Sequence, residues 1–431
     1  MRVCFNAYRE GLHFRRNSVN WSEEEKYDWI LKALRKQVRY AADSTPFYRE
    51  LFSGVGFDPN DEFSFEDYSR LPVLDRDKLN DAGESLISTR VRKEQRIQDS
   101  TGGSTGAPAH VWKGPIEIGW LESGNQFFFE QIGVQRNSRT AFFWGHHLDP
   151  VASESFGARL RSYLLNQRYF DCFRLSSEVF ADYHAKFERY APDCIVAYAS
   201  ALGHFAEYLA EAGIKPKNYP RNCFVTGAEK LLPRHREAVE YVFGPNHGVH
   251  ERYGGRDFGA VAMQIDLRHS ASFEIDWAWA LLEPETDNLL SPILVTKLHA
   301  DAMPMLRYRV GDIAKWPNGS SPGHPTFRLE EVIGRELDRI WLKSGKWVHG
   351  SELPHLLKDF PVREFSLVQE KDYQVRLNLV PKSDFQKEHA TEIKQILSSN
   401  LVGLNIEVIL VNNVKRTQAN KWRPVTSKVE R

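Results

Sequence analysis

The sequence predicts an α/β fold: a large N-terminal domain with parallel-rich sheets covered by helices plus antiparallel strands, and a small α+β C-terminal domain. Three observations carry this. Short apolar strands alternate with amphipathic helices between Ala191 and Arg252, the mark of a parallel sheet covered by helices. From Ser272 onward the strands become alternating and antiparallel in character. Finally, the chain has 431 residues, more than one hydrophobic core serves, because cores split beyond ~250–300 residues. The expected division is 1–334 and 335–431.

The elements follow in order. Ser22 and Glu25 form a capping box, and Tyr27, Ile30, Leu31, Leu34, Val38 and Ala41 recur at helical spacing until Pro46, which predicts a helix from Ser22 to about Ser44. A polar, acidic connector runs from Asp58 to Asp67, and Leu71-Pro-Val-Leu opens a second packed segment. Cys194-Ile-Val-Ala-Tyr-Ala reads as a buried strand, Ala201 to Ala212 as a helix closed by Gly213, and Asn222 to Thr226 as a second strand. A helix from Arg234 to Phe243, with Pro233 at its start, and a short strand Val249 to Arg252 complete β-α-β-α-β. In such sheets ligands collect beyond the carboxyl ends of the strands, which places Gly227-Ala228-Glu229 and Tyr253-Gly254-Gly255-Arg256-Asp257 along one edge. Antiparallel strands are expected at Phe273 to Trp279, Ile293 to Leu298 and Met305 to Arg309. The C-terminal unit reads as strands Ile340 to Leu342, Phe365 to Gln369, Gln374 to Val380 and Ile406 to Val411, with a helix from Glu388 to Ser398.

Composition narrows the function classes. The chain is 42% apolar and 12% aromatic, enough for a core and incompatible with disorder. Its 57 Lys+Arg balance 57 Asp+Glu, so nucleic acid or an anionic membrane surface recruited by bulk charge is excluded, and an anionic ligand must be held locally. No signal-like segment opens the sequence and no apolar run approaches a bilayer span, so the expectation is a cytoplasmic protein without a membrane span. Four scattered cysteines with no Cys-x-x-Cys pair read as free thiols.

Several segments could carry chemistry. Ser100-Thr101-Gly102-Gly103-Ser104-Thr105-Gly106-Ala107-Pro108 gathers glycines and hydroxyls whose N–H and O–H groups can converge on an anion, and it lacks the Gly-Lys-Ser/Thr ending of a Walker loop. A plain connector is the competing reading. Tyr308-Arg-Val-Gly311-Asp312 is expected to follow a strand and end in a turn carrying a carboxylate, suited to ribose hydroxyls or to bonding its own backbone. Gly334-Arg335-Glu-Leu337-Asp338 reads as a charged turn. Lys415 to Arg431 holds six Lys/Arg against one Glu, and Lys421 stands in a setting that presents its ammonium. Trp144, His146 and His147 lie at the end of an aromatic strand where a pocket for an organic acid could form. Trp120 and Phe127 to Phe129 divide between pocket and core, and Phe142 and Phe143 read first as core. His247, His250 and His269 lack a nearby cysteine to complete a zinc set.

Taken together, the order and spacing of these segments resemble the adenylate-forming (acyl- and aryl-CoA ligase) superfamily, in its phenylacetate-CoA ligase and CapK-like branch. Leu298 to Asp312, Asn420 to Lys428 and Ser44 to Arg49 are especially similar to that branch. The resemblance implies an enzyme that couples a small-molecule carboxylic acid to ATP with Mg2+, releases pyrophosphate, and transfers the acyl group to coenzyme A or another acceptor. It implies that the loop Ser100–Gly106 holds the β- and γ-phosphates and that Gly227, Ala228, Glu229, Tyr253, Gly254 and Gly255 bracket adenine. Asp312, with Arg335 nearby, would hold the ribose hydroxyls and Asp257 the magnesium, Arg256 lying beside it. Lys421 would bridge the carboxylate and the α-phosphate from the small domain. Departures from the family pattern are Ala107 and Ala109 where a lysine is usual, Arg256-Asp257 for Thr/Ser-Glu, Leu337 for an aspartate at the hinge, and Asn420 for glycine. They leave two alternatives open: an adenylyltransferase leaving AMP on a small molecule, and a catalytically weakened nucleotide-binding scaffold.

Overall fold

The computed structural model describes residues 2–100, 110–145, 160, 162–172, 176–245, 247–336, 339–350, 353–357, 359–415 and 424–429. At the amino end, helix Glu23–Ser44 carries the expected capping box, Ser22 bonding the backbone of Glu25 and Glu25 returning the bond, and it buries Ile30, Leu34, Val38 and Ala41. Pro46 stops it and opens the next helix, Pro46–Val55, with Thr45 as N-cap. The helix Arg2–Asn17 was not legible in the sequence. It buries only Ala7, Gly11 and Arg15, so it lacks an apolar stripe. It lies close to helix Pro115–Gln131 through small residues: a Cβ on Gly119 would stand 2.5 Å from the Cys4 carbonyl, and one on Gly11 would stand 2.4 Å from Ser123 Oγ. Arg15 is buried and donates from both Nε and Nη2 to Asp276 at 2.8 Å, which offsets the cost of removing its charge from water.

The central sheet has eight strands among the described residues, in the order Arg328–Leu329, Phe273–Ile275, Gly259–Gln264, Val249–Gly255, Cys223–Gly227, Cys194–Tyr198, Thr140–Trp144, Gln167–Asp171. The last five are mutually parallel and the first four pair antiparallel. The predicted β-α-β-α-β run is present, with helices Ala199–Glu211 and Pro233–Phe243 as its crossovers. Strands Cys194–Tyr198 and Cys223–Gly227 are buried along their whole length, as strands covered on both faces must be. One face meets Phe187, Leu202, Phe205, Leu209 and Val239; the other meets Phe128, Ile132, Val134 and Met263.

A second sheet, of four antiparallel strands, runs Ala280–Pro284, Leu290–Lys297, Tyr308–Lys315, Glu331–Arg335. Two expectations are corrected here. Asp312 lies inside a strand, between Gly311 at φ +79° and Lys315, and not in a terminal turn. Gly334 and Arg335 close the last strand of this sheet instead of forming a turn, and Arg335 is the register partner of Asp312. The span Phe273 to Trp279 also divides: only Phe273–Ile275 is strand, because Trp279 turns inward, fully buried, to donate from its indole to the Phe258 carbonyl at 3.0 Å.

Residues beyond Arg339 gather around a separate apolar core that includes Ile340, Phe365, Leu377, Ile393, Leu397 and Val425. Its sheet runs Ile406–Leu410, Val375–Pro381, Val362–Gln369, Val425–Ser427, with helix Lys387–Asn400 burying Ile393 and Leu397. Leu232 of the large unit joins this core. No described helix is long and apolar enough to cross a membrane, and all four cysteines are free thiols.

Candidate active site

The parallel register brings four strand ends to one edge. Tyr198 and Gly227 are direct partners, with Trp144 one strand further on and Tyr253 at the end of Val249–Gly255. The rings of Trp144 and Tyr198 meet at 4.5 Å. Gly227 lies against this corner, where an added Cβ would make ordinary contacts at 3.5 Å with the Arg252 carbonyl and 3.7 Å with the Trp144 ring. After Gly227 the chain turns sharply: Ala228 takes φ +67°, a conformation that costs a non-glycine residue ~1–2 kcal/mol. Glu229 then accepts from the Ser200 N–H at 3.2 Å, at the start of helix Ala199–Glu211.

Two tyrosine–carboxylate bonds join this edge to the second sheet. The Tyr253 hydroxyl donates to Asp312 Oδ2 at 2.8 Å, and the Tyr308 hydroxyl donates to Asp257 Oδ2 at 2.9 Å. Strand Tyr308–Lys315 supplies the tyrosine that holds Asp257 in the turn after Val249–Gly255, and Tyr253 of that strand holds Asp312. Burial pushes both phenols up, and the adjoining carboxylates push them further, so both remain donors at neutral pH. On its other oxygen Asp312 meets Arg335 Nε at 3.1 Å, and Arg335 also donates to the Val310 carbonyl at 3.1 Å. Asp257 Oδ1 folds over the backbone of Gly255, where a Cβ would come within 2.5 Å of it. Gly254 is equally constrained, its missing Cβ lying 2.4 Å from the Gly259 carbonyl oxygen.

Strands Ile97–Ser100 and His110–Lys113 pair antiparallel, Ser100 opposite His110, and form the stem of the Ser/Gly loop. Asp99 in that stem receives Lys113 Nζ at 2.9 Å and stands 3.4 Å from Arg256 Nη1. Arg256 thus reaches from the tyrosine motif to the strand pair Ile97–Ser100 and His110–Lys113. The loop residues Thr101, Gly102, Gly103, Ser104, Thr105 and Gly106, with Ala107 to Ala109, lie outside the described residues, as do His146, His147, Leu337, Asp338, Asn420 and Lys421. The structure brings together Trp144, Gly227, Ala228, Glu229, Tyr253, Gly254, Gly255, Arg256, Asp257, Asp312 and Arg335. Sequence reasoning missed Tyr308 as the partner of Asp257, and Asp99 and Lys113 as the anchor of the loop stem; Asp99 was findable as the residue just before the hydroxyl-rich run.

Other aromatic candidates are core. Phe143 is fully buried and Trp120 stacks on His299 at 3.6 Å. Among the expected histidines, His247, His250 and His269 bond separately to the Phe243 carbonyl, the Gln264 carbonyl and Asp266. A different cluster lies between the large and small units. His204 Nδ1 stands 3.2 Å from Glu207 Oε2, and its Nε2 stands 3.1 Å from Glu364 Oε1 of the small unit. Burial alone would lower the His204 pKa, but the bonds to Glu207 and Glu364 outweigh it and raise it. Glu207 is held down at about 2, since His204 and neighbouring positive charge overcome its own burial. Next to them His235 is buried, and neither ring nitrogen has a hydrogen-bond partner among the described residues.

With its strand-edge glycine corner, its two tyrosine-held carboxylates and the small α+β unit that follows, the chain has the fold of adenylate-forming enzymes. In sequence, the chain is similar to proteins of the phenylacetate-CoA ligase and CapK-like branch. Protein CapK of Staphylococcus aureus is 21% identical over 394 residues, 89% of this chain and 85% of that protein. A phenylacetate-coenzyme A ligase of Pseudomonas putida is 24% identical over 332 residues, 73% of this chain and 71% of the relative. Among solved structures, 2-hydroxyisobutyryl-CoA ligase in the postadenylation state with 2-HIB-AMP superposes with a TM-score of 0.75 at 18% identity, covering 95% of this chain and 91% of that one. No family profile matches the chain.

Proposed function

We propose that the chain is an ATP-dependent carboxylate-activating ligase that forms an acyl-adenylate with release of pyrophosphate and passes the acyl group to coenzyme A. The observation that carries this reading is the pair of crossed tyrosine–carboxylate bonds, which fixes Asp257 and Asp312 along the edge that also bears Gly227 to Glu229. The similarity to coenzyme A ligases supports the same reading.

In the first step a carboxylate oxygen of the acid attacks the α-phosphorus of ATP and pyrophosphate leaves. Such a step needs alignment and dispersal of negative charge, not a protein nucleophile. Asp312 is oriented by Tyr253 to accept from the ribose hydroxyls, with Arg335 beside it. The Gly227 corner admits adenine, with Glu229 and Tyr253 to Gly255 around it, and Trp144 lines the side toward the acid. Asp257 fits a magnesium ion: the metal takes one or two carboxylates and completes its shell with substrate phosphates and water, and one oxygen of Asp257 is left clear of the tyrosine. Magnesium would supply charge neutralisation at the phosphates. Arg256 and Lys113, at the foot of the Ser100–Gly106 loop, stand in for the lysine that the loop lacks. Lys421 bridges the acid carboxylate and the α-phosphate, a task suited to a compact ammonium. In the second step the thiol sulfur of coenzyme A attacks the acyl carbonyl, giving up its proton, and AMP leaves. Residues 335–431 form the mobile domain that brings Lys421 in, and the protein works in the cytoplasm.

The test is pyrophosphate release from ATP against a panel of aryl, fatty and hydroxy acids, with and without coenzyme A, in the wild type and Lys421→Ala. Acid-dependent release that falls at least ~10²-fold in the variant is expected, the order seen when a charge acting on the transition state is lost. No acid-dependent release from any member, with ATP still bound, would sink the reading in favour of a scaffold. AMP retained on a stable product while coenzyme A is present would favour an adenylyltransferase.

A further inference from the structure

Helices Ala199–Glu211 and Pro233–Phe243 face the small unit, and they carry a group of side chains that the adenylation chemistry does not use. One ligand atom from each of His204, Glu207 and His235 falls within 4.8 Å of the others. The 3.2 Å between His204 Nδ1 and Glu207 Oε2 is close to the roughly 3.3 Å that separates two ligands on a tetrahedral zinc at about 2.0–2.1 Å. His204 and Glu207 are three residues apart on one helix, so they project from the same face.

His235 is the second and independent observation. It is 1% exposed, yet both ring nitrogens are without a hydrogen-bond partner among the described residues. Burying a polar group unpaired costs ~1–3 kcal/mol, and an apolar residue of the same size would avoid that cost. Its ring is held in place: it lies over Gly203, where a Cβ would come within 2.2 Å of Cγ, and it meets the His204 ring edge-on at 5.3 Å.

We propose that His204 Nδ1, Glu207 and His235 form a binding site for a divalent transition metal, zinc by ligand type, with Glu364 as the outer partner of His204. Two imidazoles and a carboxylate suit zinc. With Nδ1 on the metal, His204 Nε2 carries the proton and donates to Glu364 at 3.1 Å, the carboxylate–histidine–metal arrangement that fixes ring orientation. Glu364 belongs to strand Val362–Gln369 of the small unit, and the same face is tied by Arg234, which donates to the Val362 carbonyl at 2.8 Å and to the Arg363 carbonyl at 2.6 Å. The metal therefore sits where the small unit rests on the large one. The side chains of His204 and Glu207 are 12% and 14% exposed, which leaves the site reachable from solvent. The inference is independent of the ligase reading.

The test uses untagged full-length protein, stripped with chelator, and measures zinc affinity by competition with a chromogenic chelator, and the visible spectrum after loading cobalt. One equivalent of zinc held at least ~100-fold tighter by the wild type than by His235→Leu is expected, with cobalt giving the intense visible bands of a four-coordinate site. Glu364→Gln should weaken zinc ~10–100-fold, the range for an outer partner. Glu207→Gln provides a second ligand variant, and far-UV dichroism confirms that each variant is folded. The proposal is overturned if the wild type holds no stoichiometric zinc below micromolar concentration, or if folded His235→Leu and Glu207→Gln bind it as tightly as the wild type.

Discussion

Two polar clusters, both largely hidden from water, are built on opposite principles. At the strand edge, Asp257 and Asp312 each accept from a buried tyrosine, and Asp312 also meets Arg335. At the boundary between the units, His235 is buried with neither nitrogen hydrogen-bonded among the described residues. Satisfied carboxylates are fixed in direction and can greet a polar ligand without rearranging, whereas an unsatisfied imidazole is retained at a cost and points to a ligand that completes it. The same contrast separates two buried histidines. His299 Nε2 donates to the Ala278 carbonyl at 3.2 Å and the ring stacks on Trp120, so it reads as core, while neither nitrogen of His235 has a hydrogen-bond partner among the described residues.

The contrast can be broken most forcefully at Asp312. Asp312→Ala removes the charged acceptor proposed to hold the ribose and should lower kcat/KM for ATP by ~10²-fold or more, since bonds to charged groups contribute about 1.5–3 kcal/mol each; a loss below about threefold would mean the ribose is held elsewhere. Gly254→Ala drives a methyl against the Gly259 carbonyl. It should destabilise the fold by ~1–3 kcal/mol, read from denaturant unfolding, and unchanged stability would show that the hairpin has room. Tyr253→Phe leaves the ring and removes one donor, so KM for ATP should rise roughly tenfold with kcat little changed; an equal fall in kcat alone would assign the hydroxyl to the transition state instead.

The smallest effect tests the histidine contrast. Burial, helped by Arg15 and Lys36, lowers the His299 pKa to about 3, below its ordinary value near 6.5. The unfolded chain then binds the proton first, so the stability due to neutral His299 is complete above pH ~6.5 and is lost as pH falls toward 3. Between pH 7.5 and 6 the wild type should lose about 1 kcal/mol more than His299→Gln. Equal losses in the two proteins would remove His299 from the acid response.

Legibility followed the range of the forces involved. The β-α-β-α-β run and the capped helix Glu23–Ser44 are local patterns, visible because their periodicity and caps lie within a few residues. Helix Arg2–Asn17 packs through glycines and a buried arginine instead of an apolar stripe, so periodicity could not reveal it. The carboxylates of the site could be read from their motifs, but their crossed tyrosine partners could not, because Tyr253 and Asp312 are 59 residues apart and meet only across two sheets. His204, Glu207 and His235 escaped for the same reason: the first two share a helix face, and the third arrives from the next crossover. The contact of Arg256 with Asp99 is equally long-range and could not be read from the motif.

The most direct measurement is a single turnover with excess enzyme, ATP, magnesium and the best acid of the panel, quenched and analysed by mass spectrometry before and after coenzyme A is added. An acyl-adenylate that accumulates without coenzyme A, converts to thioester and AMP when it is added, and falls by ~10²-fold in Asp312→Ala is the expected result. ATP turned over with no mixed anhydride at any time, or an adenylate that persists unchanged in the presence of coenzyme A, would contradict it.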